Sequence, residues 1–269
     1  MQGRHEFIPT EVKADYLQGL LACGFDTLDF GSFVSPKAIP QMRDTAEVVG
    51  RLDLSATDTK LLAIVANRRG AEAALAHPQI SYLGYPFSVS ETFQLRNTNA
   101  TLSESVDRVK QIQELTVAAG RELVVYLSMG FGNPYGDPWN AEVVEQWLDR
   151  LAALDIRIFQ LSDTIGVSSP PSISYLFSNL IPRYPHLEIG AHLHTTPDTW
   201  REKVEAAAGA GCRRFDGAIR GFGGCPMARD ELTGNMPTEH LVEYFGSPAT
   251  GVDAGCFAQS MAASLDVFR

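Results

Sequence analysis

Short apolar runs alternate with longer amphipathic stretches along nearly the whole chain. The apolar runs are typical of strands buried on both faces, and the longer stretches repeat their apolar residues with the period of a helix. Strands are predicted at residues 25–30, 61–66, 80–85, 123–129, 156–161, 188–195 and 214–219. Helices are predicted at about residues 10–23, 39–52, 68–77, 101–119, 141–154, 170–180 and 198–208, with two more after a long loop at 221–235.

This alternation predicts a parallel sheet, and the number of repeats favours a (β/α)8 TIM barrel over an open doubly wound sheet. No linker or shift of composition divides the chain, so a single catalytic domain over residues 1–269 is expected. The first predicted element is a helix, and seven strands are visible. The barrel is therefore expected to lack its first strand at the N-terminus.

The predicted strand at residues 188–195 reads Glu-Ile-Gly-Ala-His-Leu-His-Thr. Alternate side chains of a strand point the same way, so His192 and His194 share one face, about 7 Å apart along the strand. Such a pair can bind one divalent cation. Two histidines with ordinary partners beside a loop are the alternative, and the spacing alone favours that alternative.

Polar residues at other strand ends favour a functional role for the two histidines. In chain order they are Asp29, Lys37, Asn67, Ser90, Asn133, Asp163, His192 and His194, followed by the loop with Gly221, Gly223, Gly224, Cys225 and Asn235. Each of them alone is typical of a helix cap or a turn. Because a barrel gathers the carboxyl ends of its strands on one rim, their joint occurrence predicts a functional site there.

Composition narrows the class of protein. The formal net charge of −10 argues against a nucleic-acid partner and against an anionic membrane surface. No apolar run has the length of a membrane span and the first residues are polar, so we expect neither a transmembrane helix nor a signal peptide. Four cysteines without a CxxC pair fit a reducing cytoplasm.

Several motifs together resemble 3-hydroxy-3-methylglutaryl-CoA (HMG-CoA) lyase, a family of the metal-dependent lyase and Claisen-condensation barrels. They are Ser-Phe-Val-Ser-Pro-Lys at 32–37, Leu-Ser-Asp-Thr-Ile-Gly-Val at 161–167, His-Leu-His at 192–194, Gly-Gly-Cys-Pro at 223–226 and Thr-Gly-Asn at 233–235. They follow the family's order over nearly the whole chain. Gly-Gly-Cys-Pro with a nearby Gly-Asn is the most specific of them.

The resemblance implies a carbon–carbon lyase that cleaves HMG-CoA, or a similar 3-hydroxyacyl-CoA, to acetyl-CoA and acetoacetate, as in leucine catabolism. It implies Mg²⁺ or Mn²⁺ bound by His192, His194 and Asn235. Cys225 resembles the family's catalytic cysteine on a mobile loop, and Asp163 resembles its acid–base carboxylate near the substrate hydroxyl.

The expected substrate contacts are Asn67, Asp29, Lys37, Ser90, Gly223 and Gly224. Among them, Asp29 stands where the family usually has Glu, which gives a carboxylate of shorter reach. Barrels of this family commonly form homodimers, so a homodimer is also implied by the resemblance.

Two features depart from the family pattern. The family's opening strand carries an Arg-Asp pair, which stabilises the enolate and binds the metal, and Met1-Gln-Gly resembles the segment just after that pair. An Asp usually follows His-x-His where this chain has Thr195. Hydrogen bonding around the ligands, and with it substrate preference, is therefore expected to differ.

Two other functions stay open. One is a related Claisen-condensing synthase or a 2-oxo acid aldolase, although such synthases usually carry an added C-terminal regulatory domain. The other is a catalytically inactive barrel that binds an acyl-CoA, which the absent Arg-Asp pair supports.

Overall fold

Six parallel strands form one sheet in a computed structural model that describes Met1, residues 6–223 and residues 234–268. The strands are β1 (Thr27–Ser32), β2 (Lys60–Ile64), β3 (Ile80–Ser88), β4 (Glu122–Ser128), β5 (Ile158–Ser162) and β6 (Glu188–His192). Strands that follow one another in the chain are neighbours in the sheet, and helices connect them. This connectivity is that of a (β/α) barrel.

The helices of the described residues precede, connect and follow the strands. They are α1 (Thr10–Leu21), α2 (Thr45–Arg51), α3 (Arg68–Leu75), α4 (Glu91–Thr98), α5 (Leu102–Ala118), α6 (Ala141–Ala152), α7 (Pro170–Arg183), α8 (Trp200–Gly209), α9 (Thr238–Phe245), α10 (Ser247–Thr250) and α11 (Ala254–Val267), with 3₁₀ turns at Pro40–Met42 and Ile219–Gly221. None of them is long and apolar enough to cross a membrane. The predicted capping box at Thr101 and Glu104 opens α5, whereas α4 is absent from the sequence prediction.

The first six predicted strands are confirmed, with ends that differ by three residues at most. The largest differences are in β3 and β6. The predicted strand at 80–85 stops before Pro86, but β3 continues to Ser88. The neighbouring β2 ends at Ile64, opposite Gly84, so Pro86 pairs with β4 alone. A residue without an N–H is tolerated there because the ladder on the other side has already ended.

The seventh predicted strand, at residues 214–219, is wrong. Phe215 forms an isolated parallel bridge with Ala191, and Ala218 forms another with Pro237. The pairing partner changes from β6 at Phe215 to the segment around Pro237 at Ala218, only three residues later. Neither pairing therefore extends into a ladder. Within the described ranges, no backbone pair joins that segment to β1.

The apolar side chains form two main clusters on opposite faces of the strands. The larger cluster lies between the sheet and its helices and includes the fully buried Phe87, Phe159 and Phe177. A smaller cluster on the other face contains Leu62, Tyr82, Val124 and Ile158. Because side chains alternate along a strand, the second face continues toward Tyr126, Gln160 and His192 at the carboxyl ends. On this face of the sheet, polar side chains at the carboxyl ends of the strands therefore lie next to the small apolar cluster.

Gly70 of α3 permits a close approach between this helix and the loop that follows β1. A Cβ atom at Gly70 would lie 2.5 Å from the Phe33 carbonyl oxygen. We expect Gly70→Ala to lower the free energy of unfolding by about 1–3 kcal/mol, because the backbone at Phe33 has to move. Gly50 of α2 is the matched control, since a Cβ there meets nothing within 4 Å.

Gly50→Ala should raise stability by about 0.4–1 kcal/mol, because alanine restricts the unfolded chain. Urea unfolding of the two variants beside the wild type measures both effects. Equal changes in the two variants would contradict the close approach at Gly70.

Candidate active site

The His-x-His motif lies at the carboxyl end of β6. His192 is the last residue of the strand, and His194 lies just beyond it in an antiparallel bridge with Asn235. The two imidazole ring centroids are 5.6 Å apart. The strand ends earlier than predicted, yet the two rings stay adjacent.

Main-chain hydrogen bonds join the segment of the histidines to the segment of Asn235. The Thr195 N–H donates to the Gly234 carbonyl oxygen at 2.8 Å, and the Met236 N–H donates to the Leu193 carbonyl oxygen at 3.0 Å. The three ligands expected from the family resemblance, His192, His194 and Asn235, therefore share one corner of the structure.

Asp216 orients the imidazole of His192. The His192 Nδ1 atom lies 3.0 Å from Asp216 Oδ2, while Gln160 Nε2 donates to the other carboxylate oxygen at 2.9 Å. The ring of Tyr126 meets the His192 ring edge-on, with centroids 5.5 Å apart. When Nδ1–H donates to a carboxylate, the Nε2 lone pair points away and is available to a metal.

The side chain of Asn235 is oriented by the start of the glycine-rich loop. Its Nδ2 donates to the Phe222 carbonyl oxygen at 3.1 Å, so Oδ1 is the atom of this side chain that could bind a metal. A Cβ at Gly223 would lie 2.8 Å from Asn235 Nδ2, so glycine is required for this approach. The predicted residues Gly224 and Cys225 lie outside the described residues.

The donor atoms of this corner fit a divalent cation. In the part of the chain that the structure describes, no group of three or more His, Cys, Asp or Glu side chains could hold a metal. A metal held at this corner would need the Asn235 amide oxygen beside the two imidazoles. Two nitrogens and one oxygen suit a hard or borderline ion and leave positions for substrate and water.

Asp29 of β1 carries a carboxyl group with a strongly altered pKa. Desolvation by the surrounding protein raises the pKa of Asp29 to about 7, the negative charge of Asp216 acts in the same direction, and His192 opposes both. Because β1 is an edge strand of the described sheet, the residue keeps contact with solvent even though protein atoms surround its carboxyl group. Asp29 therefore keeps its proton to a higher pH than an ordinary aspartate does.

Asp163 lies just after β5 and is almost completely buried, with 1% of its surface exposed. One carboxylate oxygen accepts from the Ser168 N–H at 3.0 Å, and the other accepts from the Ser168 hydroxyl and from Lys203 Nζ, the latter at 2.8 Å. An acid–base role for Asp163 requires its carboxylate to leave these partners. That role stays a prediction.

The other predicted substrate contacts lie after different strands. Asn67 is exposed and caps α3, with its side chain accepting from the Gly70 N–H at 2.9 Å. Lys37 is exposed in the loop after β1. Ser90 is fully buried, and its hydroxyl donates to Asp137 as it caps α4. Of these side chains, Lys37 and Asn67 are exposed, and the Asn67 side chain is already used as a helix cap.

Sequence reasoning missed two residues that support the site, Asp216 and Lys203. Asp216 is a carboxylate within a predicted strand, and Lys203 lies on the buried side of α8 beside Val204 and Ala207. A charged residue inside an otherwise apolar strand or helix face is unusual unless it is paired. Both segments carry that signal, although it does not reveal the partner.

The fold and the position of the polar residues define the class, a TIM barrel with its site at the carboxyl ends of the strands. A solved HMG-CoA lyase from Acinetobacter baumannii, in complex with coenzyme A and 3-methylmalate, matches this chain with a TM-score of 0.90 and 28% identity. The match covers 99% of this chain and 87% of the other. The predicted barrel fold is confirmed.

The chain belongs to the HMGL-like family, whose model matches residues 1–256. Hydroxymethylglutaryl-CoA lyase YngG of Bacillus subtilis is 34% identical over 242 residues, which are 90% of this chain and 80% of the relative. The (R)-citramalyl-CoA lyase of Chloroflexus aurantiacus is 27% identical over 275 residues, covering 99% of this chain and 86% of the relative. The resemblance inferred from the motifs is confirmed.

Asp29→Asn should make the metal-free protein more stable at alkaline pH. The folded protein keeps a proton on Asp29 that the unfolded chain releases, so wild-type stability falls between about pH 4 and pH 7 and then levels off. The variant lacks this loss. The difference in thermal midpoint between variant and wild type should therefore grow from pH 5 to pH 8.

Asp58→Asn is the control for this comparison, because it removes an exposed carboxylate outside the site. Thermal unfolding monitored by circular dichroism gives all three midpoints. A difference for Asp29→Asn that does not change with pH would contradict the raised pKa.

Proposed function

We propose that this chain is a carbon–carbon lyase that cleaves HMG-CoA to acetyl-CoA and acetoacetate with the help of Mg²⁺ or Mn²⁺. The observation that carries the proposal is the corner formed by His192, His194 and Asn235, with Asp216 bound to the His192 Nδ1 atom. Membership of the HMGL-like family supports it. The coenzyme A bound to the A. baumannii lyase supports an acyl-CoA substrate.

When bound, the metal would supply Lewis acidity that polarises the hydroxyl and carbonyl oxygens of the substrate. His192 through Nε2, His194 through a ring nitrogen and Asn235 through Oδ1 would hold it. Asp216 keeps the proton on Nδ1 of His192 and thereby maintains the ligand tautomer. Lys37 is the proposed contact for the anionic end of the CoA, and Asn67 and Ser90 stay predicted rim contacts.

Two carboxylates are candidates to accept the proton of the substrate hydroxyl. The family resemblance favours Asp163, whereas the structure favours Asp29. The carboxylate of Asp163 is buried and already accepts hydrogen bonds from Lys203 and Ser168, so these partners occupy it in the structure. Asp29 is exposed, and desolvation together with the charge of Asp216 raises its pKa, which makes it a better proton acceptor than an ordinary aspartate.

Removal of the hydroxyl proton allows the bond between Cα and Cβ to break. Acetoacetate leaves, and the electron pair stays on Cα as the enolate of acetyl-CoA. We propose that Cys225 returns a proton to this carbon, as the resemblance implies. In the sequence Cys225 is two residues after Gly223, and Gly223 lies next to the Asn235 side chain.

An assay of acetoacetate formation from HMG-CoA with added Mg²⁺ or Mn²⁺ tests the proposal. The wild type should form acetoacetate. His192→Ala and Cys225→Ala should each lower the rate of acetoacetate formation by about 10²–10³-fold. His186→Ala is the control, since His186 is an exposed histidine before the opposite end of β6. Metal binding without cleavage of any thioester would favour the inactive acyl-CoA-binding barrel.

Citramalyl-CoA is a second candidate substrate, because a relative that shares 99% of this chain's length is named a citramalyl-CoA lyase. The presence of Thr195 after His-x-His also argues for testing more than one thioester. Chromatography of acetyl-CoA released from each thioester measures the preference. A higher kcat/KM for citramalyl-CoA would make citramalyl-CoA the substrate and keep the lyase class.

The cytoplasmic location and the homodimeric state of this protein remain predictions.

The identity of the base is tested by the pH dependence of kcat/KM. With Asp29 as the base, Asp29→Asn should abolish the rise in kcat/KM with pH that ionisation of Asp29 gives the wild type. Asp163→Asn should lower the rate and keep that rise. The opposite result would restore the role that the family resemblance implies for Asp163.

A further inference from the structure

We infer that Lys203 is a positioning residue for the metal ligands, which it restrains through the main chain; the inference rests on the proposed function. The Lys203 side chain is buried, with 3% exposed. Its ammonium group donates to Asp163 Oδ2 at 2.8 Å, to the His194 carbonyl oxygen at 2.9 Å and to the Gly166 carbonyl oxygen at 3.2 Å. An ammonium has three protons, so these acceptors use its full capacity.

The ion pair of Asp163 and Lys203 contacts the main chain of both histidines. The Asp163 N–H donates to the His192 carbonyl oxygen at 2.9 Å, and Lys203 donates to the His194 carbonyl oxygen. Ser168 holds the carboxylate of Asp163 in place. One buried pair between the end of β5 and α8 therefore restrains the main chain on which both proposed ligands are carried.

The residue after the motif provides no such restraint through its side chain. The Thr195 hydroxyl is buried, and it has no hydrogen-bond partner within the described ranges. The Thr195 N–H binds the Gly234 carbonyl oxygen on the other side of the turn. Loss of Lys203 therefore removes the hydrogen bond to the His194 carbonyl oxygen, while the bond between Thr195 and Gly234 remains.

A simpler role for Lys203 would be to neutralise the buried charge of Asp163. A buried ion pair is not a strong source of stability by itself, and removing both charges together is often tolerated. The two roles differ in the outcome of that double change. When both charges are removed, Asp163 no longer needs to be neutralised. The hydrogen bond from Lys203 to the His194 carbonyl oxygen is still lost.

The experiment compares two double variants that replace buried ion pairs with neutral side chains. Lys203→Met with Asp163→Asn removes the pair beside the ligands. Lys13→Met with Asp44→Asn is the matched control. Lys13 is equally buried and donates to Asp44 Oδ1 at 2.7 Å and to the Gln41 carbonyl oxygen, and its pair joins α1 to the start of α2.

Calorimetric titration with Mn²⁺ gives the metal affinity of each protein. NMR of metal-free protein labelled with ¹⁵N-histidine reports the environment of the His194 ring without any activity. The Lys203 double variant should bind Mn²⁺ about 10- to 100-fold more weakly, as is typical when a group behind a metal ligand is removed. Its His194 resonances should shift or broaden, and the control should match the wild type in both measurements.

Lys203→Arg keeps a positive charge beside Asp163, but its planar fork cannot place one nitrogen against all three acceptors. It should weaken Mn²⁺ binding as well, and it serves as the second variant if the double variant does not fold. Wild-type Mn²⁺ affinity and unchanged His194 resonances in the Lys203 variants would overturn the inference and leave the lyase proposal intact. A wild type that binds no Mn²⁺ would defeat the proposed function, and the NMR comparison would then decide the role of Lys203 by itself.

Discussion

The candidate site depends on the backbone pairing between residues 193–195 and residues 234–236. The hydrogen bonds of Thr195 to Gly234 and of Met236 to Leu193 bring a late loop segment against the end of β6. Without this pairing, Asn235 would not lie beside the histidines, and the two imidazoles would be the whole donor set. The glycines around Asn235 follow from the same constraint, because a Cβ at Gly223 would collide with its amide group.

Electrostatics couples the residues inside the sheet. Asp216 accepts from His192 and thereby favours the tautomer with the proton on Nδ1, and its negative charge also raises the pKa of Asp29. One carboxylate thus acts on a proposed metal ligand and on a candidate base. Two carboxylates on one polar face repel each other, so a cation bound in the corner would relieve that repulsion and favour the ionised form of Asp29.

The carboxylate of Asp163 is held by its neighbours, although its motif follows the family pattern. The residues at 161–167 follow the family pattern, which implies a proton-transfer role for this Asp. In the structure its carboxylate is bound by Ser168 and by a lysine of α8. The pair links the ends of β5 and β6 to a helix outside the sheet, so Asp163 contributes to the architecture of the rim whatever its chemical role.

The sequence by itself determined the order of the strands, their approximate limits and the two histidines at the end of β6. These features depend on local patterns, namely buried apolar runs, helical periods and the alternation of side chains along a strand. The motifs at 192–194, 223–226 and 233–235 are also local, and their residues and spacing are sufficient to identify the family.

Only the tertiary structure decided which partners these residues have. The segment at 214–219 has the composition of a strand. In the structure it forms only one isolated bridge with Ala191 and one with Pro237, so it is not part of a ladder. The roles of Asp216 and Lys203 and the pKa of Asp29 are out of reach of local patterns for the same reason. Each depends on groups from distant parts of the chain, whose distances, burial and charges are set when the whole sheet and its helices assemble.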